Sequence, residues 1–129
     1  MKLESAAMRG KDVLKLKPVI RDDTLQTTQM LHEVFENKEK CSVADLAFSV
    51  HAYLANGLAT MATEAAIKNR VEAIGLSGGT ASNKILASKI RKIVEAAGLR
   101  FLVHEAVPPG DGGLSLGQAV AVGFSRIEP

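Results

Sequence analysis

The sequence holds one cysteine, Cys41, so no disulfide can close within the chain. That fits a reducing cytoplasm, the compartment expected for it. Tryptophan is absent, and four Phe and one Tyr are the only aromatics. This is too few for the stacking platforms that bind single-stranded nucleic acid. An excess of one charge sign is also missing: 16 Lys and Arg stand against 14 Asp and Glu, a net charge of +2. On that balance neither nucleic acid nor an anionic membrane is expected as a partner. No apolar run approaches the ~18–20 residues needed to span a bilayer. The opening stretch, MKLESAAMRGKDVLKLK, lacks the apolar core of a signal peptide. There is no His-x-x-x-His or Cys-x-x-Cys pair, so a self-sufficient zinc site is not expected. Nor does a Gly-x-Ser-x-Gly or Cys/His arrangement point to covalent catalysis.

What remains is ordinary globular material. The 129 residues are 47% hydrophobic and 23% charged, enough for one domain with a real core. No internal repeat or low-complexity segment interrupts them. Residues 1–11 are polar and expected to be poorly ordered, and residues 12–129 are read as a single α/β domain. Residues 12–17 alternate apolar and charged, as a strand with one wet face does. Pro18 bars a central-strand continuation. From Asp22 to Asn37 a helical stripe carries Leu25, Leu31, Val34 and Phe35. A long helix is expected from Ser42 to Asn69, with Leu46, Val50, Tyr53, Leu54, Gly57, Leu58, Met61 and Ala65 on one stripe. Ser42 is its N-cap, with Asp45 three positions on.

The period then changes. Val71–Leu76 reads as a buried strand entering the loop Ser77-Gly78-Gly79, and Thr80–Ala97 as an amphipathic helix stopped by Gly98. Arg100–His104 is the next strand, Pro108–Gly113 a loop, and Leu114 to about Ile127 a closing helix. The order is β-α-α-β-α-β-α, with a small, mainly parallel sheet. The last two strands are joined by a crossover helix and so should be parallel. Three strands leave a sheet edge that is expected to pair with another chain, or to have been paired in a longer ancestor.

Parallel strands place their C-terminal ends on one edge, so the loops Ser77–Thr80 and Pro108–Gly113 are expected to face one cleft. Gly78 and Gly79 leave the backbone open to a ligand, and helix amides behind them favour an anion. Asn83 can both donate to and accept from a purine or ribose edge. The same glycines serve equally well in a tight strand-to-helix turn. Asp111 can ligate a metal or orient a phosphate, but Asp beside Gly also makes turns and caps. One carboxylate alone holds no metal. His32 is expected on the surface and His51 at the margin of an apolar face, hydrogen-bonded. His104 ends a strand at the cleft and is the histidine best placed for contact. The basic residues of the 80–97 helix read as a solvated face.

Taken together the two loops carry a resemblance. The stretch VEAIGLSGGTASNKILASKIRKIVEAAGLRFLVHEAVPPGDGGLSLGQAVAVG is similar to the C-terminal segment of the HypF carbamoyltransferases, whose pattern is LSGG-x-x-x-N followed by PPNDGGLALGQA. The upstream LKLKPVIRDD and ADLAFSVHAYLANGLATMATEAA resemble that family too. The resemblance implies the second lobe of a threonylcarbamoyl-transferase-like domain, a partial actin-like, ribonuclease-H-like lobe. It implies ATP as cofactor, with carbamoyl phosphate converted to a carbamoyl-adenylate. The carbamoyl group then passes to a cysteine of a HypE-like acceptor in hydrogenase maturation. By resemblance Gly78, Gly79, Asn83 and Gly112 border the nucleotide. Asp111 corresponds to an acid that joins two histidines around a divalent metal. Those histidines belong to a preceding lobe absent from this sequence, so the missing ligands would come from another chain, such as a separate first-lobe subunit. Gly110 replaces the usual Asn before Asp111, and Thr80-Ala81-Ser82 replaces Val-Phe-Gln. The implied function is one lobe of a carbamoyltransferase site, not catalytic alone and expected to oligomerise. The alternative is a non-catalytic remnant kept as a dimerisation or interaction domain. A tRNA-modifying module is disfavoured by the weak charge.

Overall fold

The structure, a computed structural model, describes residues 2–125. In chain order the elements are α1 (Lys2–Ala7), β1 (Val19–Arg21), β2 (Thr24–Gln26), α2 (Thr28–Glu36) and α3 (Val43–Lys68). After these come β3 (Ala73–Leu76), a 3-10 turn (Gly79–Ser82), α4 (Lys84–Ala96), β4 (Arg100–Val103) and α5 (Asp111–Ser125).

The central element is α3, 26 residues or about 39 Å long. It starts as its sequence dictates. The Ser42 hydroxyl accepts the Asp45 N–H at 3.1 Å and donates to the Asp45 carboxylate at 2.8 Å, a capping box built with the shorter acid. Helices α1, α2 and α4 and strands β1 and β3 all pack on it. Small residues make this possible: Ala47, Ala52, Ala55, Ala59 and Ala66 are buried along its length. At Gly57 a Cβ would stand 2.5 Å from Leu25 Cδ1, so the β2 leucine sits directly on the glycine and would have to shift to admit a methyl group.

On one side of α3, Ala55 and Ala59 meet Leu86, Ile90 and Val94 of α4. Ile74, Leu76 and Phe101 of the β3–β4 pair close over this cluster. Strands β3 and β4 are parallel, in the register Ala73↔Arg100 to Leu76↔Val103, as the crossover helix between them requires. Their other face is open. A Cβ at Gly75 would meet nothing within 4 Å, and Leu102, opposite it, is 51% exposed.

Several expectations are corrected by the fold. Residues 12–17 are not a strand: they pair with no strand among the described residues, and the N–H groups of Val13 and Leu14 donate instead to the Ser49 hydroxyl (3.0 and 3.3 Å). The first strands are β1 and β2, an antiparallel hairpin. Its two turn residues, Asp22 and Asp23, both have positive φ (49° and 54°). That conformation suits the twist of a two-residue hairpin. The helix expected from Asp22 therefore begins only at Thr28. It buries Met30, while Leu31 and Phe35 of the expected helical stripe are exposed. The N-terminal residues form α1, with Ala7 fully buried. The order is thus α-β-β-α-α-β-α-β-α, and the parallel sheet has two strands among the described residues. Residues 126 and 127 of the expected closing helix lie outside the described residues. No helix among those described is long and apolar enough to cross a membrane.

The N-terminal segment docks through close backbone contact and one carboxylate. A Cβ on Gly10 would lie 2.0 Å from the Ala44 carbonyl oxygen, and the Lys11 N–H donates to Asp45 Oδ1 at 2.9 Å. That backbone hydrogen bond, then the Ser42 hydroxyl, then the Lys11 charge hold the Asp45 carboxyl below its usual range, against a partial opposing effect of burial. Because the group titrates lower when folded, the anchorage is present above the unfolded value of about 4 and fades as pH falls through the folded one. The protection factor of the Lys11 amide, its exchange relative to the unfolded chain at the same pH, is therefore expected to fall below about pH 4, and Asp45→Asn to flatten that dependence. Gly10→Ala is expected to destabilise the fold by about 1–3 kcal/mol in urea unfolding, since backbone must move to admit the methyl group.

Candidate functional site

The C-terminal ends of β3 and β4 bring the two glycine-rich loops together. The Gly78 N–H donates to the Pro109 carbonyl at 2.8 Å. A Cβ at Gly110 would touch Gly79 Cα at 3.8 Å. Gly78 has φ of +87°, a conformation strained for any residue with a side chain. Gly113 lies under Pro108, where a Cβ would come within 2.4 Å of the proline oxygen. Gly78, Gly79, Asp111 and Gly112 thus share one rim of the parallel pair, as their place after adjacent parallel strands requires.

Beside this rim the Ser77 hydroxyl and His104 Nε2 lie 2.8 Å apart. The pair joins the ends of the two strands, and both residues are exposed. It also stands where two cavities meet. One, about 300 Å³, runs along Gly75, Leu76, Leu102 and Val103. The other, about 410 Å³, lies between the Pro108–Gly110 turn and the Leu114, Gly117 and Val120 side of α5. The position of His104 at the cleft follows from its sequence. The role of Ser77 as its partner, 27 residues away, had no local signal.

Asn83 lies elsewhere. Its side chain is buried, 2% exposed, and Oδ1 accepts the N–H groups of Ile85 (3.1 Å) and Leu86 (3.0 Å) as the cap of α4. Its Nδ2 faces His51 Nε2 at 2.9 Å. His51 Nδ1 lies 2.7 Å from the Ala47 carbonyl, which only accepts, so Nδ1 carries the proton and Nε2 accepts from Asn83. His51 is hydrogen-bonded as expected, and it is fully rather than partly buried. His32 is on the surface. The α4 helix begins at Lys84 rather than Thr80, because Asn83 takes the cap and residues 79–82 form a 3-10 turn.

The first turn of α4 is therefore already satisfied. Besides the two amides held by Asn83, the Lys84 N–H donates to Glu4 Oε1 at 2.7 Å. These amides, expected to attract an anionic ligand, are held by the protein's own groups, one of them a carboxylate. The Gly78 N–H is likewise taken by the Pro109 carbonyl and the Gly113 N–H by the Gly110 carbonyl, which leaves exposed backbone at Gly79 and at the start of α5. There Asp111 is the first residue and is exposed. Among the described residues no three His, Cys, Asp or Glu side chains cluster as metal ligands. Asp111 can be one ligand, not a site.

A family model described as "Carbamoyltransferase, Kae1-like Domain, second subdomain" matches residues 1–118. The chain is 35% identical over 127 residues to the "Probable carbamoyltransferase HypF" of Methanocaldococcus jannaschii, covering 94% of this chain and 16% of that protein. It is 31% identical over 99 residues to the "Carbamoyltransferase HypF" of Rhizobium leguminosarum bv. viciae, 77% of this chain and 13% of that one. Among solved structures it is similar to T. kodakarensis HypF, with a TM-score of 0.83, 36% identity and 98% of this chain against 16% of the other. A full-length HypF in a phosphate- and nucleotide-bound form shares the fold, with a TM-score of 0.78 at 21% identity, covering 98% of this chain and 17% of that one. The chain spans about a sixth of the length of these relatives.

Asn83→Ala is expected to lose the cap, about 1 kcal/mol, and to leave the buried His51 acceptor unpaired, about 1–3 kcal/mol more. Urea unfolding of Asn83→Ala, His51→Leu and the double variant measures the two contributions. The penalty of Asn83→Ala should shrink towards the cap alone once His51 is replaced.

Proposed function

This chain belongs to the HypF carbamoyltransferase family, as the second subdomain of a Kae1-like domain, and we propose that it forms one wall of a nucleotide and carbamoyl-transfer site completed by a first subdomain. The observation that carries this reading is the joining of the two glycine loops by the Gly78–Pro109 hydrogen bond at the carboxyl ends of parallel strands, where open α/β sheets take their ligands. A full-length HypF of the same fold is known with phosphate and nucleotide bound. The reaction proposed for the completed site uses ATP and carbamoyl phosphate to make a carbamoyl-adenylate. Transfer of the carbamoyl group to a cysteine of a HypE-like acceptor follows, in hydrogenase maturation.

In this reading the chain is one lobe of an actin-like pair, inactive by itself. Gly78 and Gly79 let the nucleotide lie against bare backbone, and Gly112 does so at the start of α5. Ser77 and His104 offer a hydroxyl and an imidazole to phosphate or ribose oxygens. Asn83 acts at one remove: it fixes where α4 begins, and so where the first loop ends. A divalent metal would take Asp111 as a single ligand, with its other donors on the partner lobe. The open face of β3–β4 and the exposed Leu114, Leu116 and Val120 of α5 are the surface that lobe would cover. Without such a lobe, a second copy of the chain is the natural occupant, since a two-stranded parallel sheet is not stable with a bare face.

Calorimetric titration of ATP with magnesium tests the reading, using the chain alone and mixed with the first subdomain of a HypF relative. The mixture is expected to take up nucleotide, and the isolated chain to show no uptake below millimolar concentrations. Gly79→Val should weaken uptake by the mixture by about tenfold or more, by blocking approach to the backbone. A stable mixed complex that ignores nucleotide would favour the non-catalytic interaction domain instead.

A further inference from the structure

A third cavity, about 370 Å³, is walled by α1, α3 and α4. Its apolar lining is Met8, Phe48 and Ile85, and Met8 is 73% exposed. Its basic rim is Lys84, Lys89 and Lys92. The walls are fixed in place: Ala7 is fully buried against the body of the domain, and Glu4 Oε1 takes the Lys84 N–H at 2.7 Å.

We propose that this groove docks an acidic peptide segment of a partner protein, with one large apolar side chain seated on Met8, Phe48 and Ile85 and carboxylates on the lysines. The charge pattern selects the partner. Helix α4 carries Lys84, Lys89, Arg91 and Lys92 against one acid, Glu95. Arg91 turns away to lie over Phe101, 5.5 Å from its ring, which leaves the three lysines to the groove. Lys84, Ser88 and Lys92 are spaced four residues apart, a row about 12 Å long, and carboxylates one helical turn apart on a partner match it. Lys89 Nζ sits 4.8 Å over the Phe48 ring, so its charge is held above the apolar floor. Glu4 is the single acid lining the groove. It closes the Lys84 end and directs an acidic ligand towards Lys89 and Lys92.

A solvated basic face has no need of an exposed methionine between its lysines. Methionine is flexible and polarizable, and suits a surface that accepts a partner side chain. The volume lies at the small end of ligand pockets, and an apolar floor rimmed by lysines suits a large apolar side chain flanked by carboxylates. Nucleic acid is the weaker match, because the basic row is confined to one helix face and the whole chain carries only +2.

The test is fluorescence anisotropy at low salt. The probe is a fluorescein-labelled peptide, Asp-Glu-Glu-Leu-Leu-Glu-Glu-Asp, with an analogue whose leucines are serines. Saturable one-to-one binding of the leucine peptide is expected. It should weaken by about tenfold or more in Lys89→Glu/Lys92→Glu and in Met8→Asp, while circular dichroism stays unchanged. Lys92→Glu alone keeps the Lys89–Phe48 contact and should still weaken binding. The proposal is overturned if the serine analogue binds as well as the leucine peptide, which is general attraction to a basic helix. It fails equally if charge reversal leaves binding unaltered, or if no saturation is reached at millimolar peptide. Self-association in sedimentation that charge reversal abolishes would assign the groove to a second copy of the chain and also overturn it.

Discussion

Much of this domain is organised around one side chain, the Asn83 amide. Its oxygen closes the first turn of α4 and its nitrogen reaches His51 in the middle of α3. His51 in turn is held by the Ala47 carbonyl one turn earlier in its own helix. A buried amide has few acceptable arrangements, because each unpaired polar atom costs free energy comparable to a lost hydrogen bond. Here the oxygen and nitrogen cannot exchange places without giving up the cap. The tie therefore fixes α4 against α3 in rotation and in height. Through α4 it also sets where the loop after β3 must end.

That constraint changes where chemistry can happen. A helix N-terminus is ordinarily an anion site because its first amides lack partners. In this domain Asn83 and Glu4 already occupy those of α4. The exposed backbone at Gly79 and the start of α5 lie instead on the rim where the parallel pairing of β3 and β4 sets the two loops side by side. The Ser77–His104 pair lies at that same rim. Helix α4 thus serves two surfaces. Its start shapes the loop at the cleft, and its outer row of lysines forms the groove against α1, with Glu4 belonging to both.

The exposed apolar surface has the same origin. Two parallel strands covered on one face cannot complete a sheet, and parallel sheets are ordinarily buried on both sides. Leu102, Val103 and much of α5 stay open to solvent. The chain spans about a sixth of the length of the relatives it matches. In the proposed function this surface is where a first subdomain would meet the two loops.

The amino-acid pattern by itself determined the long helix and its Ser42 cap, the β3 and β4 strands with the helix between them, and the convergence of the two glycine loops. These follow from periodicity, capping chemistry and the geometry of a parallel crossover, all of which are local or nearly so. The paired loop sequences carried the family as well. Tertiary structure alone decided which groups each side chain would meet. The Asp22-Asp23 hairpin turn lacks the glycine that usually marks one, and its alternative as a helix start was locally just as good. Residues 12–17 had the alternation of a strand but pair with no strand among the described residues, and the Val13 and Leu14 amides went to Ser49. Asn83 had the chemistry to hold a ligand or a cap, and the outcome depended on His51, 32 positions earlier. Glu4 reached the start of α4 across 80 residues. Periodicity states which face a residue occupies; the partner that face finds is settled only when distant segments pack.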